Sequence, residues 1–354
     1  MAWQGLEGHD DVVERFRASL ARGRLAHTFL FVGPAGIGKR SFALRLAAAL
    51  LCQRRPAAAL DPCGQCPSCL QIAAGTHPDL LMVSKPADKS FIPLELFIGP
   101  KEKRMQQGLC HDISLKPFMG GRRVAIIDDA DYLNEEGANS LLKTLEEPPA
   151  QSVLILIGTS ADRQLPTIRS RAQTVRFRPL PAEVVAQQLV ARGLVEDRAT
   201  AERLAGYSGG SITHAAELAD PALWKFRDVL FAQLGERSFD SVTFAKTLAA
   251  FVDEAGKEAP LRRARMRLVI GFAIEFHREL VRALAGVPAA EASPHEEVTR
   301  AAASGRFDRV DLAALAERSI EALGHVDRNA HQAALLECWL DDLVQLSQPP
   351  RVPV

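Results

Sequence analysis

Neither sign of charge predominates in this 354-residue chain: lysine plus arginine and aspartate plus glutamate number 43 each. That balance excludes a global field able to hold the protein on nucleic acid or an anionic membrane. Any contact with DNA must be local or shared with partners. No run of roughly 18 apolar residues is present, so no membrane-spanning helix is expected. The opening MAWQGLEGHDDVVERFRASL mixes charges where a secretory leader would carry an apolar core, and the expectation is a cytoplasmic protein. Internal repeats and low-complexity tracts are also missing; the alanine-bearing stretches at 58–62 and 286–293 read as loop or linker. What is there is 47% hydrophobic and 24% charged, over a length that suits two or three domains with sizeable cores.

From residue 28 to about 177, short apolar runs rich in branched and aromatic residues alternate with helical patterns. The runs are TFLFVG, DLLMV, RRVAIID, SVLILIG and QTVRF. The alternation predicts an α/β fold, a parallel sheet covered by helices. Past Pro179-Leu180-Pro181 the strand signals stop. Short amphipathic helices broken by Gly206, Gly209 and Gly210 are expected over 181–219, and longer helices parted by proline or glycine from 222 to 347. Three modules result: an α/β core over 1–178, a small helical lid over 179–220 and an all-α domain over 221–354.

Directly after TFLFV comes GPAGIGKR, with Gly33, Gly36, Gly38 and Lys39 at the spacing of a phosphate-binding loop that opens a helix. Glycines let consecutive backbone N–H groups turn inward around phosphates, and Lys39 would reach the β and γ phosphates of ATP. About ninety residues on, VAIIDDAD places Asp128 where a strand end delivers a magnesium-directed carboxylate. Two departures weaken hydrolysis. The residue after Lys39 should be Ser or Thr, whose hydroxyl binds magnesium, but is Arg40, a cation beside a cation site. Asp129 stands where a longer glutamate would direct water, although proton-transfer groups must come within roughly 2.6–3.2 Å of their target. Binding of ATP with magnesium is thus open, and hydrolysis by this chain is not expected.

Cys52, Cys63, Cys66 and Cys69 form C-x10-C-x2-C-x2-C, with Pro62, Gly64 and Pro67 supplying turns that let the thiolates converge. Four thiolates suit tetrahedral zinc in a structural role, since no ligand position stays open for water. The iron–sulfur pattern fits less well, because its fourth cysteine would fall at Ala73. Disulfides do not suit a reducing cytoplasm. The plain alternative is four unbound buried cysteines.

HTFLFVGPAGIGKRS, GTHPDLL, NSLLKTLEEPP (139–149), IGTSADRQLPTIRSRAQTVRF, the GGS ending at 211 and the cysteine cluster together resemble the bacterial DNA polymerase III clamp-loader family. The resemblance is close over residues 5–220; beyond them only helical character agrees. It implies an AAA+ P-loop core, a helical lid, a helical collar domain that joins subunits, and a zinc module inserted after the first helix, over 52–69. It implies, too, that Ser170 and Arg171 match the family's Ser-Arg-Cys motif, with Ala172 in place of the cysteine, so that Arg171 would serve as an arginine finger on a neighbour's ATP. The lid arginine that senses the γ phosphate in cis is absent, Thr213 standing in its place. Keeping the arginine that serves a neighbour while losing the groups that serve its own site favours the family's delta-prime-like kind. Partners would be gamma/tau-like ATPases and a delta-like subunit, with the sliding clamp and primed DNA met through the assembly. The alternative is an active gamma/tau-like motor using Lys39 and Asp128. A stand-alone AAA+ repair protein is a third reading, against which the cysteines argue. No polymerase active site is visible.

The remaining signals are plainer. Read alone, Arg171 could be an exposed arginine paired with a carboxylate. Lys143, Glu146 and Glu147 read as the solvated face of a helix stopped by Pro148. His27 and His77 read as hydrogen-bonding residues, and the basic stretch 261–284 as a helix packed in a bundle rather than a DNA or membrane element. Cys110 and Cys338 stand apart from the cluster.

Overall fold

The computed structural model describes residues 3, 5–236, 238–287, 296–305 and 307–347. These divide into two compact units, Met1–Glu217 and Leu218–Val354. Most of the stretch 286–293 lies outside the described residues.

The first unit holds five strands: β1 (Thr28–Val32), β2 (Leu80–Val83), β3 (Arg123–Ile127), β4 (Ser152–Gly158) and β5 (Gln173–Arg176). All pair in parallel, in the order β2-β3-β4-β1-β5. Each of the five apolar runs is therefore a strand. Every residue of β1, β3 and β4 is buried, which is why the runs are continuous rather than alternating: both sheet faces are covered. The helices around them are α1 (Asp10–Ala21), α2 (Lys39–Leu51), α3 (Pro67–Ala73), α4 (Glu95–Ile98), α5 (Leu109–Ser114), α6 (Glu135–Glu146) and α7 (Pro166–Arg169).

The period of two along β1 sends alternate side chains to opposite faces. Phe29 and Phe31 meet Phe16 of α1 and, through Phe31, Phe42 of α2 and Phe177, with ring centroids 5.0–6.3 Å apart. Leu30 and Val32 join Ile127, Leu154 and Leu156 and the α6 residues Leu141 and Leu145 in the opposite core. Asn134 starts α6 by accepting a hydrogen bond from the Gly137 N–H at 2.8 Å, and two prolines follow its end.

Three short helices complete this unit: α8 (Ala182–Ala191), α9 (Arg198–Tyr207) and α10 (Ile212–Glu217). Gly206 lies inside α9 and does not break it, contrary to expectation; a glycine near a helix end costs only about 1 kcal/mol, which the burial of Ala201, Leu204 and Ala205 offsets. Gly209 and Gly210, both at positive φ, make the break before α10.

The second unit is helical throughout its described residues: α11 (Pro221–Gly235), α12 (Ser241–Asp253), α13 (Ala259–Leu284), α14 (Glu296–Ala303), α15 (Arg309–Asp327) and α16 (Gln332–Leu346). Trp339 is fully buried and its indole donates to Ser319 Oγ at 3.2 Å. The basic start of α13 is neutralised inside the unit: Arg262 meets Asp253, Arg265 meets Asp220 and Arg267 meets Asp327, at 2.7–3.2 Å. That pairing makes it a bundle helix. Among the described residues no helix is long and apolar enough to cross a membrane.

Candidate nucleotide, arginine and cysteine sites

The glycine-rich segment runs from the end of β1 to the first turn of α2, with Gly38 at φ 97° capping the helix. Its carbonyls at Gly33, Pro34, Gly36 and Ile37 are engaged. Lys39 Nζ donates to Gly33 O at 2.6 Å and to Pro34 O, His9 Nε2 donates to Ile37 O at 2.7 Å, and the Ile212 N–H donates to Gly36 O at 3.1 Å. Lys39, the lysine expected to reach phosphates, is thus 7% exposed and turned back onto its own loop. Burial pushes its ammonium pKa down, against the opposing pull of Asp131 and Asp128. The start of α10 stands on the loop so closely that a Cβ on Gly36 would collide with Ser211 Oγ and come within 2.9 Å of Thr213 Cβ. Only glycine fits there.

Asp128 follows β3, as expected, and faces Arg40: Nε lies 3.5 Å from Asp128 Oδ2. The guanidinium supplies positive charge to the carboxylate that a magnesium ion would otherwise use. Asp129 sits in the left-handed region at φ 57°, and burial, then the Asp128 charge, push its carboxyl pKa up. Asp131, which sequence reading passed over, accepts from the Thr159 N–H at 2.7 Å, from Thr159 Oγ1 at 2.5 Å and from Gln164 Nε2 at 2.8 Å. Thr159 directly follows β4, and the carboxyl ends of parallel strands are where such sheets build sites, so position alone could have drawn notice to it. His9 carried no comparable signal.

Ser170 and Arg171 lie just after α7 and just before β5. Arg171 Nη2 is 2.7 Å from Glu146 Oε1, while Nη1 donates to Thr167 O at 3.0 Å and to Ser170 Oγ at 3.1 Å. Ser170 thus helps fix the guanidinium, and Glu146 is an ion-pair partner as well as part of a solvated helix face. β5 runs parallel to β1 with Phe29 opposite Gln173, so Arg171 enters the sheet at the edge where the strands begin. The glycine loop opens at the edge where they end. Position 171 falls opposite His27, so at about 3.3 Å per residue the two are separated by roughly 20 Å along the sheet. Arg171 therefore lies away from the glycine loop of its own chain, with its charge on Glu146.

The four cysteines of the cluster converge. All four Sγ atoms lie within 4.8 Å of one another, and Cys63 and Cys69 are 3.9 Å apart. A tetrahedron of thiolates each about 2.3 Å from zinc has edges of about 3.8 Å, so the donor set fits such an ion. Cys52 caps the end of α2 and Cys66 caps the start of α3, its Sγ accepting from the Cys69 N–H at 3.5 Å. The cluster follows the second helix of the chain, which is the first after the glycine loop. His77 is no ligand: its Nδ1 accepts from the Asp79 N–H at 3.0 Å, which leaves Nε2 to donate to Ser68 Oγ at 2.8 Å. His27 meets Ser152 O at 3.0 Å. Cys110 is buried apart from the cluster and Cys338 is exposed.

A family model described as DNA polymerase III, delta subunit, matches residues 8–181, just under half of the chain. The DNA polymerase III subunit delta' of Pseudomonas aeruginosa is 42% identical over 200 residues, covering 56% of this chain and 57% of that protein. The delta' subunit of Bacillus subtilis is 34% identical over 201 residues, covering 57% and 56%. The gamma/tau subunit of Mycobacterium tuberculosis is 32% identical over 228 residues, covering 61% of this chain and 36% of that protein. The chain thus spans a little over half the length of the delta' relatives it matches. Through this matched region, built on a parallel five-stranded sheet, the chain is similar to subunits of bacterial DNA polymerase III, and most similar among these to the delta' subunits.

Proposed function

We propose that this chain is a delta-prime-like subunit of a bacterial clamp loader, a stator in the cytoplasm that helps place a sliding clamp on primed DNA without cycling ATP itself. Its partners are gamma/tau-like ATPases and a delta-like subunit, joined through the helical collar of residues 221–354, with residues 179–220 as the lid. The observation that carries the reading is an asymmetry. The chain's own nucleotide groups are partnered internally, Lys39 by loop carbonyls and Asp128 by Arg40. Arg171 stands at the other edge of the sheet, braced by Glu146 and Ser170. In the assembly Arg171 leaves Glu146 for the γ phosphate of a neighbour's ATP and stabilises charge on the transferring phosphoryl group.

The four thiolates hold zinc, which ties the end of α2 to α3 and supplies no open position for chemistry. ATP with magnesium is not expected to bind the chain's own site. Labelled-ATP titration of the folded, zinc-loaded chain tests this: the natural chain gives no magnesium-dependent binding and the Arg40→Thr variant gains some. In the assembled loader Arg171→Ala lowers ATP turnover; unchanged turnover removes the finger role.

The gamma/tau-like motor remains the second reading because Lys39 and Asp128 are both present at the glycine loop. Magnesium-dependent ATP hydrolysis by the isolated chain would establish it.

A further inference from the structure

Two of the four clustered cysteines, Cys52 and Cys63, are partly exposed, while Cys66 and Cys69 are buried. Cys63 differs from the other three in what carries it. Cys52 ends α2, Cys66 caps α3 and Cys69 lies within α3. Cys63 instead stands on the loop that leads into α3, beside Gly64, which has a φ of 70° and open space around it. We propose that the cluster is a peroxide-sensitive modification site, at which Cys63 and Cys69 join as a disulfide and zinc is released. This rests on the zinc assignment made above and, as a control on clamp loading, on the function proposed there.

The reaction balances with a peroxide as oxidant. A zinc-held cysteine is a thiolate, the form that attacks peroxide. The Cys63 sulfur takes one peroxide oxygen and becomes a sulfenic acid, and hydroxide leaves. Cys69 Sγ, 3.9 Å away, then attacks that sulfur. The S–S bond forms, the S–O bond breaks and a second hydroxide leaves. Two protons from solvent turn the hydroxides into water; each sulfur has lost one electron and the O–O bond has taken both. The sulfurs must approach by about 2 Å to reach a disulfide's length. The loop carrying Cys63 supplies that movement without disturbing either helix. Two thiolates are left, half of a tetrahedral set.

The other two cysteines stand outside this arrangement. Cys110 is buried with its Sγ donating to Ser140 O at 3.5 Å, and Cys338 is exposed but apart from the cluster. Release of zinc unties α2 from α3, and the effect has a path into the sheet. Ser68 of α3 meets His77, whose neighbour Asp79 accepts from the Phe118 and Met119 N–H groups at 2.7 and 2.8 Å and faces Arg123 at the start of β3. Thiol reductants reopen such a disulfide, so the change is reversible and confined to oxidising episodes.

The full chain, reduced and zinc-loaded, is tested with equimolar hydrogen peroxide, beside the Cys338→Ser variant, which lacks the exposed competitor. A colorimetric chelator reads zinc release, and mass spectrometry after alkylation maps the thiols. Zinc in the variant should fall from one per chain to none, in step with a Cys63–Cys69 disulfide, and dithiothreitol with added zinc should restore both. The natural chain should yield the same disulfide. Zinc retained after peroxide, zinc lost while Cys63 and Cys69 still alkylate, sulfinic acid in place of the disulfide, or failure of dithiothreitol to restore the site would each overturn the proposal. Metal analysis before peroxide separates the two readings: a reduced chain without zinc would overturn the zinc assignment and this proposal with it. Failure to join a clamp loader would overturn only the function above.

Discussion

Arg40 and Lys39 are neighbours at the start of α2, and each is engaged with a group of its own chain. The Arg40–Asp128 pair is 3.5 Å long with the arginine more than half exposed, so it contributes little to stability, about 0–1 kcal/mol. Its effect is on charge at the site. Asp131 differs: its carboxylate satisfies the Thr159 N–H, the Thr159 hydroxyl and the buried Gln164 amide. Asp131→Ala strands those donors and should cost about 2–3 kcal/mol in urea unfolding of the core. Thr159→Val removes one hydroxyl bond and should cost about 1 kcal/mol. Glu146→Ala, by contrast, breaks a half-exposed pair with Arg171, and its stability change should stay under about 1 kcal/mol. A larger loss would mean that the pair holds α6 to the start of β5.

At the scale of elements, the cysteine cluster joins the end of α2 to α3, and the network Ser68–His77–Asp79 carries that join toward β2. Because binding free energy at a structural metal site is also folding free energy, chelation or Cys66→Ser should lower the melting temperature of the sheet-containing unit. Metal analysis should give one zinc per chain before chelation and none after. Much of this level was legible in the sequence. The strands showed because β1, β3 and β4 are buried at every position, so no polar residue interrupts them. The cysteines showed because their ligand spacing is local. What stayed hidden were meetings between distant segments: Glu146 with Arg171, Asp131 with Thr159 and Gln164, and the start of α10 with Gly36. No spacing rule encodes such contacts, because they exist only once the sheet order has been set. Gly206 misled for the opposite reason, a local rule being overridden by burial of one face of α9.

For the whole molecule, two compact units mean that unfolding need not be one transition, and each unit has its own sensitivities. In the helical unit His277 is buried and burial pushes its pKa down to about 4, with Nδ1 among the atoms lacking a partner. The folded state then keeps His277 neutral while the unfolded chain takes up a proton below about pH 6.5. Between about 6.5 and 4 the unfolded state binds more protons, so stability falls as pH falls through that window, by about 3 kcal/mol at most. Replacing His277 with Phe should flatten this part of the pH profile, read as the difference between the two proteins' urea midpoints. An unchanged profile would show that other groups govern acid unfolding.

The closed glycine loop has one more consequence, which concerns the cell's energy charge. If, as proposed above, the site with Lys39 on its own loop carbonyls and Asp128 facing Arg40 takes up no ATP, the chain would gain no stability from ATP and lose none when ATP gives way to ADP. In starved and growing cells alike it would then keep the same shape, and in the proposed assembly it would be a fixed reference for whatever moves with nucleotide.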